Sequence, residues 1–221
     1  MPKIIKMKLR FLQRVTHLQN FIVNQYTEGH FRENDMLEAV SSETITRAQK
    51  GDSTVLSDLY EHYRSSIFRF LYYRVGDIQA AEDLTSEVFL RMIRSIGGYR
   101  PRGIAFEAWL FQIARNLAID YYRKQHRDQS VPLQEELLTT NEGVEKMMDG
   151  NFNNESLVQA LRHLNDAQRD VIVLRFVNEM PIAQVAQTLH KSEDSVKALQ
   201  RRGLVALREI LSRWEVQYDS H

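Results

Sequence analysis

The sequence predicts an all-α fold, with two helical domains joined by an acidic linker. Three observations carry this reading. Apolar residues recur at spacings of three and four in both halves of the chain, the core stripe of amphipathic helices. No stretch alternates convincingly with the period of two that a half-buried strand requires. Between the helical stretches lie Ser130, Pro132, Thr139, Thr140, Asn141, Gly143, Gly150, Asn151, Asn153 and Asn154, loop chemistry with little sustained period. A chain of 221 residues has room for one large domain or two small ones.

The first domain is expected over residues 41–127 as a bundle of about four helices. One stripe runs Val55, Leu56, Leu59, Tyr60, Tyr63, Ile67, Leu71. The next runs Ala81, Leu84, Val88, Met92, Ile96, widened by Phe89 and Ile93. A third runs Phe106, Trp109, Leu110, Ile113, Leu117, Tyr121. Breaks fall at Gly51-Asp52, Gly76-Asp77 and Gly97-Gly98. The linker spans residues 128–153. The second domain, residues 154–215, reads as three or four shorter helices, followed by a tail over 216–221. Asn165 is placed as an N-cap, with Gln168 three residues on in capping-box spacing. Pro181 suits a first helical turn. Ser192 is a second N-cap, followed by Glu193 and Asp194 where the helix dipole favours anions.

Composition narrows the function. Apolar residues make up 43% and charged residues 26%, as in a folded soluble protein. There is no cysteine, which excludes a disulfide scaffold, a thiolate zinc site and a cysteine nucleophile, and fits a reducing cytoplasm. No apolar run approaches the roughly 18 residues of a membrane helix, and the N-terminus lacks a signal-peptide h-region. The seven histidines are scattered, and His30 with Glu33 has no second half of a metal site, so neither a catalytic centre nor a metal or other cofactor is expected. The formal net charge is zero, but the charges are segregated. Residues 1–27 hold five bases and no acid. Residues 91–127 hold eight bases against two acids, residues 128–155 seven acids against Lys146, and residues 191–213 six bases against three acids. Two cationic modules on an anionic tether suit a polyanionic partner; sets of solvated helix faces would give the same pattern.

Pro181 to Leu207 has the layout of a helix-turn-helix. Ala186 is the small residue where two helices cross, and Val185, Leu189, Val196 and Leu199 supply apolar contacts on both. The outer face of the second helix carries Lys197, Ala198, Gln200, Arg201 and Arg202, suited to base edges and phosphates in a major groove. His190 stands where the turn often has glycine, and His is among the residues enriched at positive φ. An ordinary helical hairpin is the bland alternative. A second cationic surface spans Tyr99 to Lys124, where a loop with Arg100 and Arg102 precedes a two-faced helix. Phe106, Trp109, Ile113 and Leu117 face a core; Gln112, Arg115, Asn116, Asp120, Arg123 and Lys124 lie opposite. Basic groups interleaved with rings suit single-stranded DNA, although such a stripe also serves as plain core.

Four stretches, in order, resemble the bacterial RNA polymerase sigma factors of the extracytoplasmic-function (ECF) group. They are LYEHYRSSIFRFLYYRV (59–75), AEDLTSEVFLRMI (81–93), FEAWLFQIARNLAIDYYRK (106–124) and AQVAQTLHKSEDSVKALQRRGLVALRE (183–209). The likeness covers about residues 44–212. It implies a sigma-2-like domain that binds the core polymerase and the promoter −10 element, and a sigma-4-like domain that binds the −35 element. It further implies cytoplasmic action, at the nucleoid when bound to polymerase. Implied partners are core RNA polymerase (β′ clamp helices and β flap), promoter DNA, and an anti-sigma factor or other regulator; no small-molecule substrate is implied. The resemblance assigns Asp83, Leu84, Glu87, Val88, Phe89 and Arg91 to polymerase docking. It assigns Tyr99, Arg100, Arg102, Arg115, Asn116, Asp120, Arg123 and Lys124 to the −10 element and its melting. It assigns Ser195, Lys197, Ala198, Gln200, Arg201 and Arg202 to the −35 element.

The acidic linker is expected to imitate nucleic-acid charge in the polymerase channels. Residues 1–40 fall outside the likeness and read as a basic extension of unassigned role, with Met36 standing just before the family-like part. The main rival is a stand-alone helix-turn-helix regulator that binds its operator without polymerase. A second rival, an enzyme built on a helical bundle, has no supporting residue cluster.

Overall fold

The computed structural model describes residues 40–100, 103–128 and 154–218. The basic extension, Arg102, the acidic linker and the last three residues therefore lie outside the described part. Among the described residues every regular element is helical. The first domain contains α1 (Ser42–Gln49), α2 (Ser53–Val75), α3 (Ile78–Ser95) and α4 (Phe106–Asp128), with one 3-10 turn at Ile96–Gly98.

Each start follows from a short polar residue ahead of an apolar stripe. Ser41 Oγ accepts from the Thr44 amide at 3.0 Å. Asp52 accepts from the amides of Thr54 and Val55 at the head of α2, and Asp77 from that of Ala80 at the head of α3. These bonds satisfy donors that a helix N-terminus leaves open. The Asp52 carboxyl is held below its ordinary pKa, first by its hydrogen bond from Arg47 and then by the Val55 amide.

Gly76 ends α2 in the left-handed region at φ 77°, its amide donating to Tyr72 O at 2.7 Å. A Cβ there would fall 2.5 Å from an Arg162 guanidinium nitrogen and 2.9 Å from Val158 Cγ1. Gly76→Ala is expected to lower stability by about 1–3 kcal/mol through backbone strain and this collision. A urea unfolding series would read the change, and an unshifted midpoint would contradict it.

The bundle core is formed where α2, α3 and α4 meet. Ile67, Phe70, Leu71, Val88, Leu110 and Phe111 are all fully buried. Phe70 and Phe111 stand edge to face with ring centres 5.5 Å apart. The third stripe is rotated from its sequence reading: Leu110, Phe111, Ala114 and Ala118 are buried, whereas Trp109 and Ile113 are only half-buried. The reason is that α4 is covered on two sides, by α2 and α3 and by the second domain. Ile93, expected to widen the α3 stripe, is 49% exposed instead.

The second domain contains α5 (Asn154–Arg162), α6 (Asp166–Ile172), a wider helical turn at Val173–Val177, α7 (Ile182–Leu189) and α8 (Glu193–Tyr218). Asn165 Oδ1 accepts from the Gln168 amide at 3.0 Å, as its N-cap position demands. Arg169 reaches back to the end of α5, donating to the carbonyls of Leu161, Arg162 and Leu164. It thereby satisfies acceptors that the end of α5 leaves without intrahelical partners. Pro181 sits one position ahead of α7 with extended ψ, not within its first turn. Helix α8 continues to Tyr218, past the tail expected from residue 216, since no glycine or proline interrupts the chain after Gly203. The described helices of both domains fall in one compact unit. No described helix is long and apolar enough to cross a membrane.

Candidate nucleic-acid and polymerase interfaces

Helices α7 and α8 form the helix-turn-helix. Val185, Ala186, Leu189, Val196 and Leu199 are buried at and around their crossing. His190 takes the left-handed conformation, φ 51°, and closes α7 with its amide on Gln187 O. Ser192 Oγ accepts from the Ser195 amide at 3.2 Å, which starts α8. The outer face of α8 then presents Lys197, Arg201 and Arg202, all exposed. Lys197 lies 3.3 Å from Asp194, a pair weak enough in water to give way to a phosphate. Ser195, Ala198 and Gln200 are half-buried, and Gln200 Oε1 accepts from Arg175 at 3.3 Å. Near the start of α8 the exposed cations are therefore Lys197, Arg201 and Arg202, with Arg202 Nε also donating to Ala198 O at 3.3 Å.

The −10 assignments divide. Asn116, Asp120, Arg123 and Lys124 are exposed along α4. Arg100 is exposed but folds back, donating to Gly97 O and Tyr99 O. Tyr99 is only 5% exposed, which corrects its assignment as a surface contact. Its ring lies 5.0 Å from Trp109 and 5.5 Å from Phe106, and its hydroxyl donates to Ile104 O at 2.7 Å. Burial raises the pKa of that hydroxyl. Gln49 donates to both Ile96 O and Tyr99 O at 2.9 Å. Tyr99 thus anchors the loop that carries Arg100; it offers no open face for a base.

Arg115 is also not free. Its Nε donates to Asp170 Oδ2 at 2.7 Å, and Asp170 is a fully buried residue of α6. Close by, Gln112 donates to Gln187 O at 2.9 Å, so the start of α4 is covered by α7. Glu107, on the same helix, is half-buried; burial raises its pKa, and a hydrogen bond with Gln184 partly offsets this.

On α3, Asp83 and Arg91 are exposed, Leu84 and Glu87 are half-buried, and Glu87 pairs with Arg91 at 3.1 Å. Val88 and Phe89 are core residues, at 0% and 4% exposure, and their assignment to docking is corrected. Phe89 packs edge-on against Tyr60 at 4.8 Å. The helix turns them inward because they continue the stripe of Ala81, Thr85 and Met92. The large apolar groups that α3 presents are Ile78 at its start and, beside Glu87 and Arg91, Leu90 and Ile93, at 59%, 47% and 49% exposure. Leu90 was detectable from the sequence as an apolar residue off the core stripe, next to charged neighbours.

Among the described residues the structure is all-helical, with a helix-turn-helix that exposes Lys197, Arg201 and Arg202 and a bundle that exposes Arg123 and Lys124. Family models agree with this division: Sigma-70 region 2 matches residues 59–128, and Sigma-70 region 4 matches residues 160–209. The chain is 38% identical over 172 residues to the ECF RNA polymerase sigma factor BldN of Streptomyces coelicolor, covering 76% of this chain and 65% of BldN. It is 34% identical over 168 residues to the ECF RNA polymerase sigma factor SigX of Bacillus subtilis, covering 68% of this chain and 80% of SigX. The structure of CnrH in complex with the cytosolic domain of CnrY shares the fold, with TM-score 0.61 at 19% identity, covering 77% of this chain and 96% of that one. RpoE of Bartonella quintana, in complex with the anti-sigma factor NepR, does so with TM-score 0.57 at 19% identity, covering 71% and 96%.

The chain belongs to the ECF RNA polymerase sigma factors. Members of this family are known as non-catalytic transcription initiation factors.

Proposed function

We propose that this chain mounts on core RNA polymerase through the outer face of α3, reads the −35 element with α8, and engages the −10 element with the exposed cationic end of α4. One observation carries most of this: Lys197, Arg201 and Arg202 are exposed on α8, whose inner face is packed into the helix crossing through Val196 and Leu199. Such a helix fits a major groove, with arginines on base edges and lysine on phosphate.

The work is non-covalent. Unstacking a −10 base costs a few kcal/mol. Contacts to the expelled base recover roughly 1–3 kcal/mol where a ring supports it. The half-buried rings of Trp109 and Tyr121 lie on the same helix, and Arg123 and Lys124 hold the backbone. Binding through these bases weakens steeply with salt, because each neutralised phosphate releases counterions. An anti-sigma factor or similar regulator is a further partner in this reading, supported by the complexes of CnrH with CnrY and RpoE with NepR. We place its action in the cytoplasm, at the nucleoid when the chain is bound to polymerase.

Run-off transcription with a bacterial core polymerase and genomic promoter fragments tests the reading. Promoter-dependent transcripts are expected only when chain and core are combined. Tight operator binding by the chain alone, without transcript, would favour the stand-alone regulator instead. Within this reading, Arg201→Ala is expected to cost about 1–3 kcal/mol at one −35 base position. A competition series across single-base promoter variants measures it; an equal loss on every sequence would make Arg201 a phosphate contact.

A further inference from the structure

The turn that follows α3 is held in shape by a residue of α1. Gln49, the last residue of that helix, reaches two carbonyls 47 and 50 residues away. Its Nε2 donates to Ile96 O and to Tyr99 O, both at 2.9 Å. A carboxamide nitrogen carries two protons, so one side chain serves both acceptors; the flipped amide would set Oε1 against two carbonyl oxygens. The clasp stands on a fixed base. Ile45 and Ala48 of α1 are buried, and Arg47 meets Asp52, the N-cap of α2, at 2.8 Å.

Each clasped carbonyl has a second donor. Ile96 O also accepts from the Tyr99 amide at 3.0 Å, and Tyr99 O from Arg100 at 3.0 Å. The same Arg100 nitrogen donates to Gly97 O at 2.9 Å. The two side chains at Tyr99 O differ in kind. Gln49 is neutral and half-buried, whereas Arg100 is charged and exposed. When the guanidinium leaves for a phosphate, Gln49 keeps Tyr99 O bonded and the turn keeps its shape. The outside of the turn has room for such a partner. Gly97 and Gly98 are exposed, a Cβ on either would meet nothing within 4 Å, and neither has a positive φ. Neither packing nor backbone conformation demands glycine there, whereas close approach of a ligand to the backbone is served by it.

We infer that Gln49 is a positioning residue for −10 recognition: it clasps the turn at Ile96 and Tyr99, so that Arg100 is released to a promoter phosphate while the turn stays folded. This rests on the promoter reading proposed above, with Arg100 among its −10 cations. Without Gln49, Arg100 is the remaining side-chain donor to Tyr99 O and is retained on the turn.

Gln49→Met keeps the side-chain length and removes both donors. Ile96 O keeps the Tyr99 amide and Tyr99 O keeps Arg100, so the unfolding midpoint should change little. Gln49→Glu, of the same shape, sets a carboxylate against the two carbonyls and is the second variant. With core polymerase, on a promoter recovered in the run-off assay, Gln49→Met is expected to slow strand opening on the order of tenfold, the worth of one charge-assisted hydrogen bond. Permanganate reactivity of −10 thymines reads it. The salt slope of opening should fall by about one, as for one lost phosphate contact. Arg100→Ala should do the same, and in that background Gln49→Met should change the rate less than about twofold, because the two residues act through one contact. Additive losses overturn the assignment, since a merely weakened turn would give them, and so does an unchanged rate in both Gln49 variants. A measurement on the free chain separates this from the proposed function. Nitrogen-15 relaxation at Arg100 Nε should report a more rigid side chain in Gln49→Met than in the unmodified chain; equal mobility overturns the clasp. If the unmodified chain with core opens no promoter, the proposed function falls, and the Arg100 relaxation still decides whether Gln49 releases the guanidinium.

Discussion

Asp83→Arg is expected to abolish co-purification with core RNA polymerase and to leave the unfolding midpoint of the chain unchanged. Asp83 is exposed on α3, and no ion pair or side-chain hydrogen bond involving it is seen among the described residues, so the fold does not depend on its charge. Its surroundings suit the docking role proposed for this face. Glu87 and Arg91 are linked by a 3.1 Å ion pair one turn on, and Leu90 and Ile93 stand out of the helix beside them. Apolar groups ringed by charge suit a protein partner: the apolar area contributes affinity and the charges select orientation. Reversing a charge in such a face costs several kcal/mol by setting like charges together. At 1.4 kcal/mol per tenfold, that is a loss of a hundredfold or more. Normal co-purification would move the docking surface elsewhere. Leu90→Asp should give a similar loss, since it removes an apolar contact from the same face.

The second large effect concerns the fold that holds these surfaces. Phe111→Ala is expected to destabilise the chain by about 3–5 kcal/mol. Phe111 is fully buried at the centre of α4, edge-on to the equally buried Phe70. The substitution removes the ring's transfer energy and leaves a cavity that helices on two sides cannot both close. Since whole domains hold only about 5–15 kcal/mol, this is a large fraction of the total. Calorimetric or urea unfolding reads it directly. A loss under about 1 kcal/mol would mean that the bundle repacks around the gap, contrary to the dense packing of natural cores.

How much of this was legible in the sequence depends on the range of the interaction. Asn165 and Ser192 do cap helices, a helix does end at Gly76, and His190 does take the left-handed conformation. Each involves bonds across three or four residues, so neighbouring residue types are enough to predict it. The helix-turn-helix was equally legible, because Val185, Ala186, Leu189, Val196 and Leu199 lie within 15 consecutive residues. The reading of α3 was less accurate. Family likeness marked a stretch of sequence as a docking segment, but a helix turns its residues to every side. Val88 and Phe89 went inward and Leu90 and Ile93 outward, a distinction set by where α2 and α4 lie. Tyr99 shows the same limit: an aromatic residue in a basic loop looks like a base platform until Phe106 and Trp109 are found against it.

The sequence by itself determined the helices, their caps, the helix-turn-helix and the family, because periodicity and capping act over one or two turns and the motifs are contiguous. Only the tertiary structure decided that Arg115 meets Asp170, 55 residues away, and that Arg74 joins them. On its own helix Arg115 reads as one more solvent-facing cation. A charge finds its partner through the fold, and the distance between the two in sequence carries no trace of it.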